Sequence, residues 1–299
     1  MIINRKFFLH LLLTLISGVT LLCASDNDPT ITYADSRLEN IIHQQEKLLN
    51  RYRVDPSSER KREWVRLFSS IIDLYEDFLA DNIKSEEGFL LYGKFLSQIG
   101  MDEEAMHAFL KVNRLNPKIA VVKQQIGNFL AEKGDFGLAL AYFKSAKELE
   151  PNVGIYHYQF AELLHVYHKQ FIEDNIFTGE EFDQDMISAF KEAARLMPND
   201  FKMQKRYAEA FYDLEIPQWD NALALWQELE QKSPSVYDKD YCKLNRARVY
   251  LEKKEFSEAR KILNRLFNKD LEKPRRDLLA EIQIRNREER FKSREKHGS

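Results

Sequence analysis

The chain of 299 residues carries a formal net charge of −3 at pH 7, with 31% charged and 44% hydrophobic residues. This balance argues against a nucleic-acid-binding protein, which normally concentrates positive charge. Ten glycines and eight prolines leave little material for the turns of a β-rich fold, and no segment shows sustained period-two alternation. Two cysteines cannot build a disulfide framework.

Residues 1–24 predict a secretory signal peptide. Arg5 and Lys6 precede a largely apolar run from Phe7 to Ala24, and an acidic, polar stretch follows. This order is typical of an export signal that is cleaved after Ala24 or the next residue. We therefore expect an exported protein, periplasmic or associated with a bacterial cell envelope, with a linker over residues 25–34.

Two alternatives would keep the N-terminus in a membrane. An uncleaved anchor is disfavoured because the apolar run is shorter than the roughly 20 residues that span a bilayer. Lipidation of Cys23, as in bacterial lipoproteins, is disfavoured because that signal normally has a small residue where this chain has Leu22. A membrane contact is expected only if one of these attachments exists.

Residues 35–83 predict a pair of amphipathic helices. The first carries apolar residues such as Leu38 and Ile41, and the Asp55-Pro56 step ends it. The second has an apolar face that includes Trp64. Because the pair lacks the small residues that repeat further along, we interpret it as an N-terminal cap or a degenerate repeat.

A 34-residue period then runs through the chain. Small residues, large aromatic residues and prolines return in the same register, which is typical of stacked helix–turn–helix units. The repeating pairs are Gly93 and Gly127, Ala105 and Ala139, Phe109 and Phe143, and Pro117 and Pro151.

In this register the sequence resembles the tetratricopeptide repeat family. The resemblance covers five units over residues 84–271 and implies an all-α, right-handed α-solenoid. Residues 272–299 would form a C-terminal capping helix with a polar tail. A capping pair, five repeat pairs and this last helix give about thirteen helices.

The repeated positions have physical reasons. A glycine within a helix costs about 1 kcal/mol relative to alanine, so Gly93 and Gly127 predict a neighbouring helix too close for a side chain. Asp102 and Asp135 follow the breaks between paired helices and are predicted to cap the second helix of each pair.

The third unit departs from the period. Pro151 and Pro198 are 47 residues apart, against 34 in the regular units, and the extra length lies at about residues 166–185. Thr178 and Glu181 resemble a capping box that opens a helix there. The acidic and aromatic insertion is interpreted either as a partner contact or as a lengthened helix pair with solvated acids.

Metal and catalytic sites find little support. His165 and His168 could share an ion with Glu173 or Asp174, but this spacing arises easily by chance, and surface histidines are the preferred interpretation. Cys242 is predicted to be a structural thiol. No catalytic constellation is found, so we expect neither an enzyme nor a bound cofactor or metal.

The resemblance also implies a binding surface. Tetratricopeptide proteins use an inner stripe of their first helices for ligands, and its mixture of apolar and charged side chains suits an extended peptide with apolar anchors. In this chain the stripe contains Leu90, Lys94, Gln124, Asn128, Tyr158, Glu162, His165, Lys205, Glu209, Tyr212, Leu244 and Arg248.

The leading functional hypothesis is an exported scaffold or adaptor that holds a peptide or protein partner in the concave groove of the array. The alternative is a structural subunit, or a lipoprotein-like component, of a bacterial envelope assembly. Both hypotheses make the partner a protein rather than a nucleic acid.

Overall fold

The computed structural model describes residues 32–56, 61–173 and 179–297. Every regular element in these ranges is helical, which confirms the predicted all-α class. None of the helices within them is long and apolar enough to cross a membrane. The predicted signal peptide, Cys23, Asp174 and Thr178 lie outside the described residues.

The chain divides into two compact units, Met1–Leu149 (unit 1) and Glu150–Ser299 (unit 2). Their boundary falls within the predicted array of repeats at 84–271, between its second and third repeats. Unit 1 contains α1 (Tyr33–Val54), α2 (Lys61–Asp81), α3 (Glu86–Gln98), α4 (Asp102–Leu115), α5 (Ala120–Lys133) and α6 (Phe136–Leu149).

The first two helices of unit 1 form the predicted amphipathic pair. A capping box starts α1, because the Thr32 side chain accepts a hydrogen bond from the Asp35 amide while Asp35 accepts from the Thr32 amide. Their apolar faces share a core with Phe95 of α3. Within it, the buried Tyr75 hydroxyl donates to Gln45 Oε1 at 2.6 Å, so this polar pair is satisfied.

The two repeated glycines of unit 1, Gly93 and Gly127, lie close to a neighbouring helix, as predicted, and each faces an aromatic ring of that helix. A Cβ atom at Gly93 would lie 2.8 Å from Phe109 Cε1, and one at Gly127 would lie 3.1 Å from Phe143 Cε1. Both rings are buried. The first and second helices of each repeat therefore approach closely because one carries glycine where the other carries phenylalanine.

The turns within these repeats also depend on glycine. Gly100 and Gly134 have φ angles of +80° and +84°, in the left-handed region that side chains disfavour. Asp135 then accepts a hydrogen bond from the Leu138 amide at 3.2 Å and caps α6. The prediction for Asp102 is wrong, because it is the first residue of α4 and the preceding residue makes no side-chain cap.

Unit 2 contains the remaining helices. They are α7 (Gly154–Val166), α8 (His168–Glu173), α9 (Gly179–Leu196), α10 (Phe201–Ala210), α11 (Trp219–Lys232), α12 (Val236–Glu252), α13 (Phe256–Leu263), a 3₁₀ turn (Lys269–Leu271) and α14 (Glu272–His297). The described residues thus hold fourteen α-helices rather than about thirteen. The additional one is the short α8, which lies in the insertion of the third repeat.

The cores of the repeats in unit 2 follow the same register. The large positions Phe190, Trp226 and Leu263 are all buried, and the small positions of α7, α10 and α12 are alanines. Against α13, Ile282 of α14 closes a terminal core. The guanidinium of Arg285 pairs with both Glu252 and Glu281, which ties the polar side of α14 to α12.

Candidate functional site

In the inner stripe of unit 2, polar contacts join α10 and the turn after it to the next first helix, α12. Each of three contacts joins residues 32 or 33 positions apart, close to one repeat. They are Lys205 Nζ to Asp238 Oδ1 at 2.8 Å, Tyr241 OH to Glu209 Oε1 at 2.9 Å, and Tyr212 OH to the Asn245 carbonyl oxygen at 2.9 Å.

A buried ion pair joins α7 to α10 in the same stripe. Arg206 Nε donates to Glu162 Oε1 at 2.5 Å, and both side chains are mostly shielded from solvent. The Arg206 guanidinium also lies over the Phe190 ring, 4.8 Å from its centroid. Glu162 is therefore committed to an internal partner, since removing one member of a buried pair leaves an uncompensated charge.

Two of the predicted apolar anchors lie inside unit 2. Tyr158 is 4% exposed and Leu244 is 7% exposed. The Tyr158 ring packs edge-on against Phe190, with centroids 6.1 Å apart, and burial raises the pKa of its hydroxyl. Tyr212 is half-buried, and the Arg248 guanidinium lies 4.2 Å from its ring centroid. The expectation that Tyr158 and Leu244 present apolar anchors to a ligand is not met in this structure.

The predicted histidine cluster lies at the end of α7. His165 Nδ1 is 3.3 Å from Asp213 Oδ2. Burial, aided by the charge of Arg206, lowers the pKa of His165 to about 4, so the imidazole is neutral at pH 7. Within the described ranges, no group of three histidine, cysteine, aspartate or glutamate side chains is placed to hold a metal ion.

Cys242 lies in the middle of α12, and it is fully buried. Its Sγ is 3.9 Å from Ser233 Oγ. Burial raises the pKa of the thiol to about 11, which suppresses the nucleophilic thiolate. The environment is that of a structural thiol.

The inner stripe of unit 1 differs, because it holds polar groups without partners. Lys94 of α3 makes no hydrogen bond or ion pair with any described residue, and burial lowers the pKa of its ammonium group. Asn128 of α5 is 6% exposed, and its buried Oδ1 has no hydrogen-bond partner among the described residues. Leu90 is half-buried and Gln124 is buried.

Lys94 and Asn128 therefore define the candidate site in unit 1. Buried polar groups in folded proteins are nearly always paired, so the buried Asn128 Oδ1 requires an explanation, and the half-buried Lys94 lies beside it in the stripe without a partner among the described residues. The two residues occupy equivalent positions of successive repeats, 34 residues apart. The sequence named both residues as part of the stripe but contained no signal that separates them from the paired residues of unit 2.

Comparisons with known proteins agree with this architecture. A family model described as a tetratricopeptide repeat matches residues 120–153, whereas no curated protein sequence matches the chain. Among solved structures, the chain is similar to YrrB, described as a TPR protein with an unusual peptide-binding site. The TM-score is 0.52 at 14% identity, over 71% of this chain and 97% of YrrB.

A second similar structure is that of Naa15/Naa10 bound to HypK-THB, with a TM-score of 0.55 at 15% identity. The similarity covers 86% of this chain and 35% of the matched chain. At such identities these similarities establish the fold alone. The fold is an all-α solenoid of the tetratricopeptide type.

Proposed function

We propose that this chain, a protein built of tetratricopeptide repeats, is an interaction scaffold that holds an extended segment of a partner protein against Lys94 and Asn128. Proteins with this repeat generally act by binding other proteins rather than by catalysis. The observation that carries the proposal is the unpaired state of the two side chains in unit 1.

The two side chains complement a peptide main chain. The Lys94 ammonium donates up to three hydrogen bonds, and main-chain carbonyl oxygens accept them. Asn128 Oδ1 accepts a hydrogen bond, and a main-chain amide donates one. An extended peptide carries both groups at every residue except proline, so it can satisfy two positions placed one repeat apart.

The same side chains cost stability while they have no ligand. Desolvation without a partner disfavours the charged form of Lys94, as its lowered pKa indicates. A buried acceptor without a donor costs about 1–3 kcal/mol. Groups that reduce stability without an internal partner are expected where a protein binds something else.

Export is part of the proposal. Its support is the signal-like order of residues 1–24, in which Arg5 and Lys6 precede an apolar run. An exported scaffold would meet its partner in the periplasm or at the cell envelope.

The test begins with selection of peptides from a random phage-displayed library on the full chain. We expect Lys94→Met together with Asn128→Ala to weaken binding of the selected peptides about tenfold or more, since hydrogen bonds to charged groups contribute about 1.5–3 kcal/mol. Lys94→Met alone should also raise the melting temperature, because it removes a desolvated charge.

Two control variants sharpen this test. Lys144→Met changes an exposed lysine on α6 and should alter neither binding nor melting temperature. Lys205→Met changes the inner stripe of unit 2, where the ammonium already pairs with Asp238. The proposal fails if Lys205→Met abolishes peptide binding while the variant at Lys94 and Asn128 binds as wild type does.

A further inference from the structure

We propose that unit 2 contains a second binding site, separate from the candidate site of unit 1, for an organic cation: an ammonium or guanidinium group on an apolar stem. The site is a partly open cavity of about 490 Å³. It lies where the end of α7, the short α8, one face of α9 and the turn after α10 meet. Its volume falls in the range of ligand pockets, roughly 300–1,000 Å³.

The floor of this cavity is apolar. Phe182 and Met186 of α9 line it, and each is 1% exposed. The imidazole of His168 lies against the Phe182 ring, with centroids 4.5 Å apart. An aromatic ring and a thioether provide a surface suited to the methylene stem of a ligand.

The walls offer hydrogen-bond acceptors. Asp213 contributes a partly exposed carboxylate, held 3.3 Å from His165 Nδ1. In its neutral form, the His165 imidazole has one ring nitrogen that donates a hydrogen bond and one that accepts. His168 Nε2 is buried and has no hydrogen-bond partner in the part of the chain that the structure describes. A carboxylate together with the neutral imidazole of His165 suits a ligand rich in N–H donors.

The charges around the cavity favour a cation over an anion. Glu173 and Asp213 line it, and both are acidic. The cations within reach of Asp213 already have internal contacts: Arg206 pairs with Glu162, and Arg248 lies over Tyr212. Within the described residues, neither guanidinium forms an ion pair with Asp213 or Glu173, so the cavity carboxylates are left for a ligand.

Lys169 is the cationic residue in the lining itself. It is exposed, so water and salt weaken its repulsion of a bound cation. Replacing this lysine with an acid should therefore raise the affinity of the site for a cation.

The first measurement is a calorimetric titration of the full chain with three small probes. Agmatine carries a guanidinium on an apolar stem, butylurea is a neutral molecule of similar shape, and glutarate is an anion. We expect only agmatine to bind, and we expect it to shift the NMR methyl signal of Met186. Comparable binding of butylurea, or binding of glutarate instead, would overturn the proposal.

A second titration distinguishes the two sources of such a cation. The peptide acetyl-Ala-Arg-Ala-amide presents the guanidinium as an arginine side chain. Tighter binding of this peptide than of agmatine assigns the site to a basic residue of a partner protein. Tighter binding of agmatine assigns it to a free amine metabolite.

Variants locate the interaction. Asp213→Asn should weaken agmatine binding about tenfold or more, because a charge-assisted hydrogen bond is lost. Asp213→Glu should restore most of the affinity. The matched control is Asp185→Asn, which changes an exposed aspartate on α9 outside the cavity lining and should leave affinity within about twofold.

The variant Lys169→Glu provides a second test of cation binding in case the Asp213→Asn protein does not fold. Replacing an exposed lysine at the mouth by an acid should strengthen agmatine binding severalfold at low salt, and added salt should reduce this gain. An unchanged or weaker affinity in a folded Lys169→Glu protein would overturn the proposal.

Discussion

At Gly93 the space that a side chain would need is already filled by the Phe109 ring, with the nearest ring carbon 2.8 Å from the position of a Cβ atom. Gly93→Ala should therefore destabilise the protein by about 1–2 kcal/mol, because overpacking outweighs the gain in helix propensity. Thermal unfolding followed by circular dichroism measures the difference.

Gly137 is the matched control. It is an exposed glycine within α6, so Gly137→Ala should be neutral or stabilising by up to about 1 kcal/mol. If Gly93→Ala were as stable as Gly137→Ala, the Phe109 ring would have to move aside at no cost, and the close approach of α3 and α4 would not be a constraint.

The sequence was informative about such packing positions because glycine, alanine and phenylalanine recur at the same positions of successive repeats. It was less informative about the binding surface. Tyr158 has the periodicity of the inner stripe, yet its ring is buried against Phe190. Whether a residue of the stripe points to solvent or packs within the unit depends on the side chains of the helices packed against it, and periodicity alone does not contain that information.

At the scale of the helices, the two aspartates predicted as caps show that position within the repeat decides whether an aspartate caps a helix. Asp135 follows Gly134 directly and caps α6, whereas Asp102 lies two residues after Gly100 and starts α4. The residue 34 positions before Asp135 is Met101. The 34-residue period therefore assigns the capping position of α4 to Met101. The prediction for Asp102 relied on its residue type and ignored this spacing.

Asp135→Ala should destabilise the protein by about 1 kcal/mol through loss of the cap. Asp102→Ala should cost less, because only a favourable charge in the first turn of α4 is lost, worth about 0.3–1 kcal/mol. Urea unfolding of both variants tests this order. Equal losses would mean that the Asp135 contact with the Leu138 amide adds nothing beyond charge.

The helix that the sequence did not predict is α8. The period fails over residues 166–185, and a six-residue helix is too short for apolar periodicity to show itself. The contacts between first helices were equally hidden, because Lys205 and Asp238 are 33 residues apart and nothing in either local sequence marks the other.

For the whole molecule, the export signal makes a sharp prediction about mass. The native protein should lack residues 1–24 and begin near Ser25 or Asp26, because the signal-like segment ends there. Intact-mass spectrometry of protein purified from its own cells measures this directly. Retention of the full N-terminus would contradict cleavage, and a diacylglycerol-sized addition on Cys23 would indicate a lipoprotein.

The rate at which a reagent modifies the Cys242 thiol can report on local opening of unit 2. The thiol is fully buried and its pKa is raised to about 11, so a thiol reagent finds almost no thiolate while α12 stays packed. Modification then proceeds only as fast as this neighbourhood opens. In a mature chain that has lost Cys23, Cys242 would be the single thiol, and its labelling rate would measure local opening around α12. A molecule that binds unit 2 and stabilises this helix would lower the labelling rate, and no engineered probe would be needed.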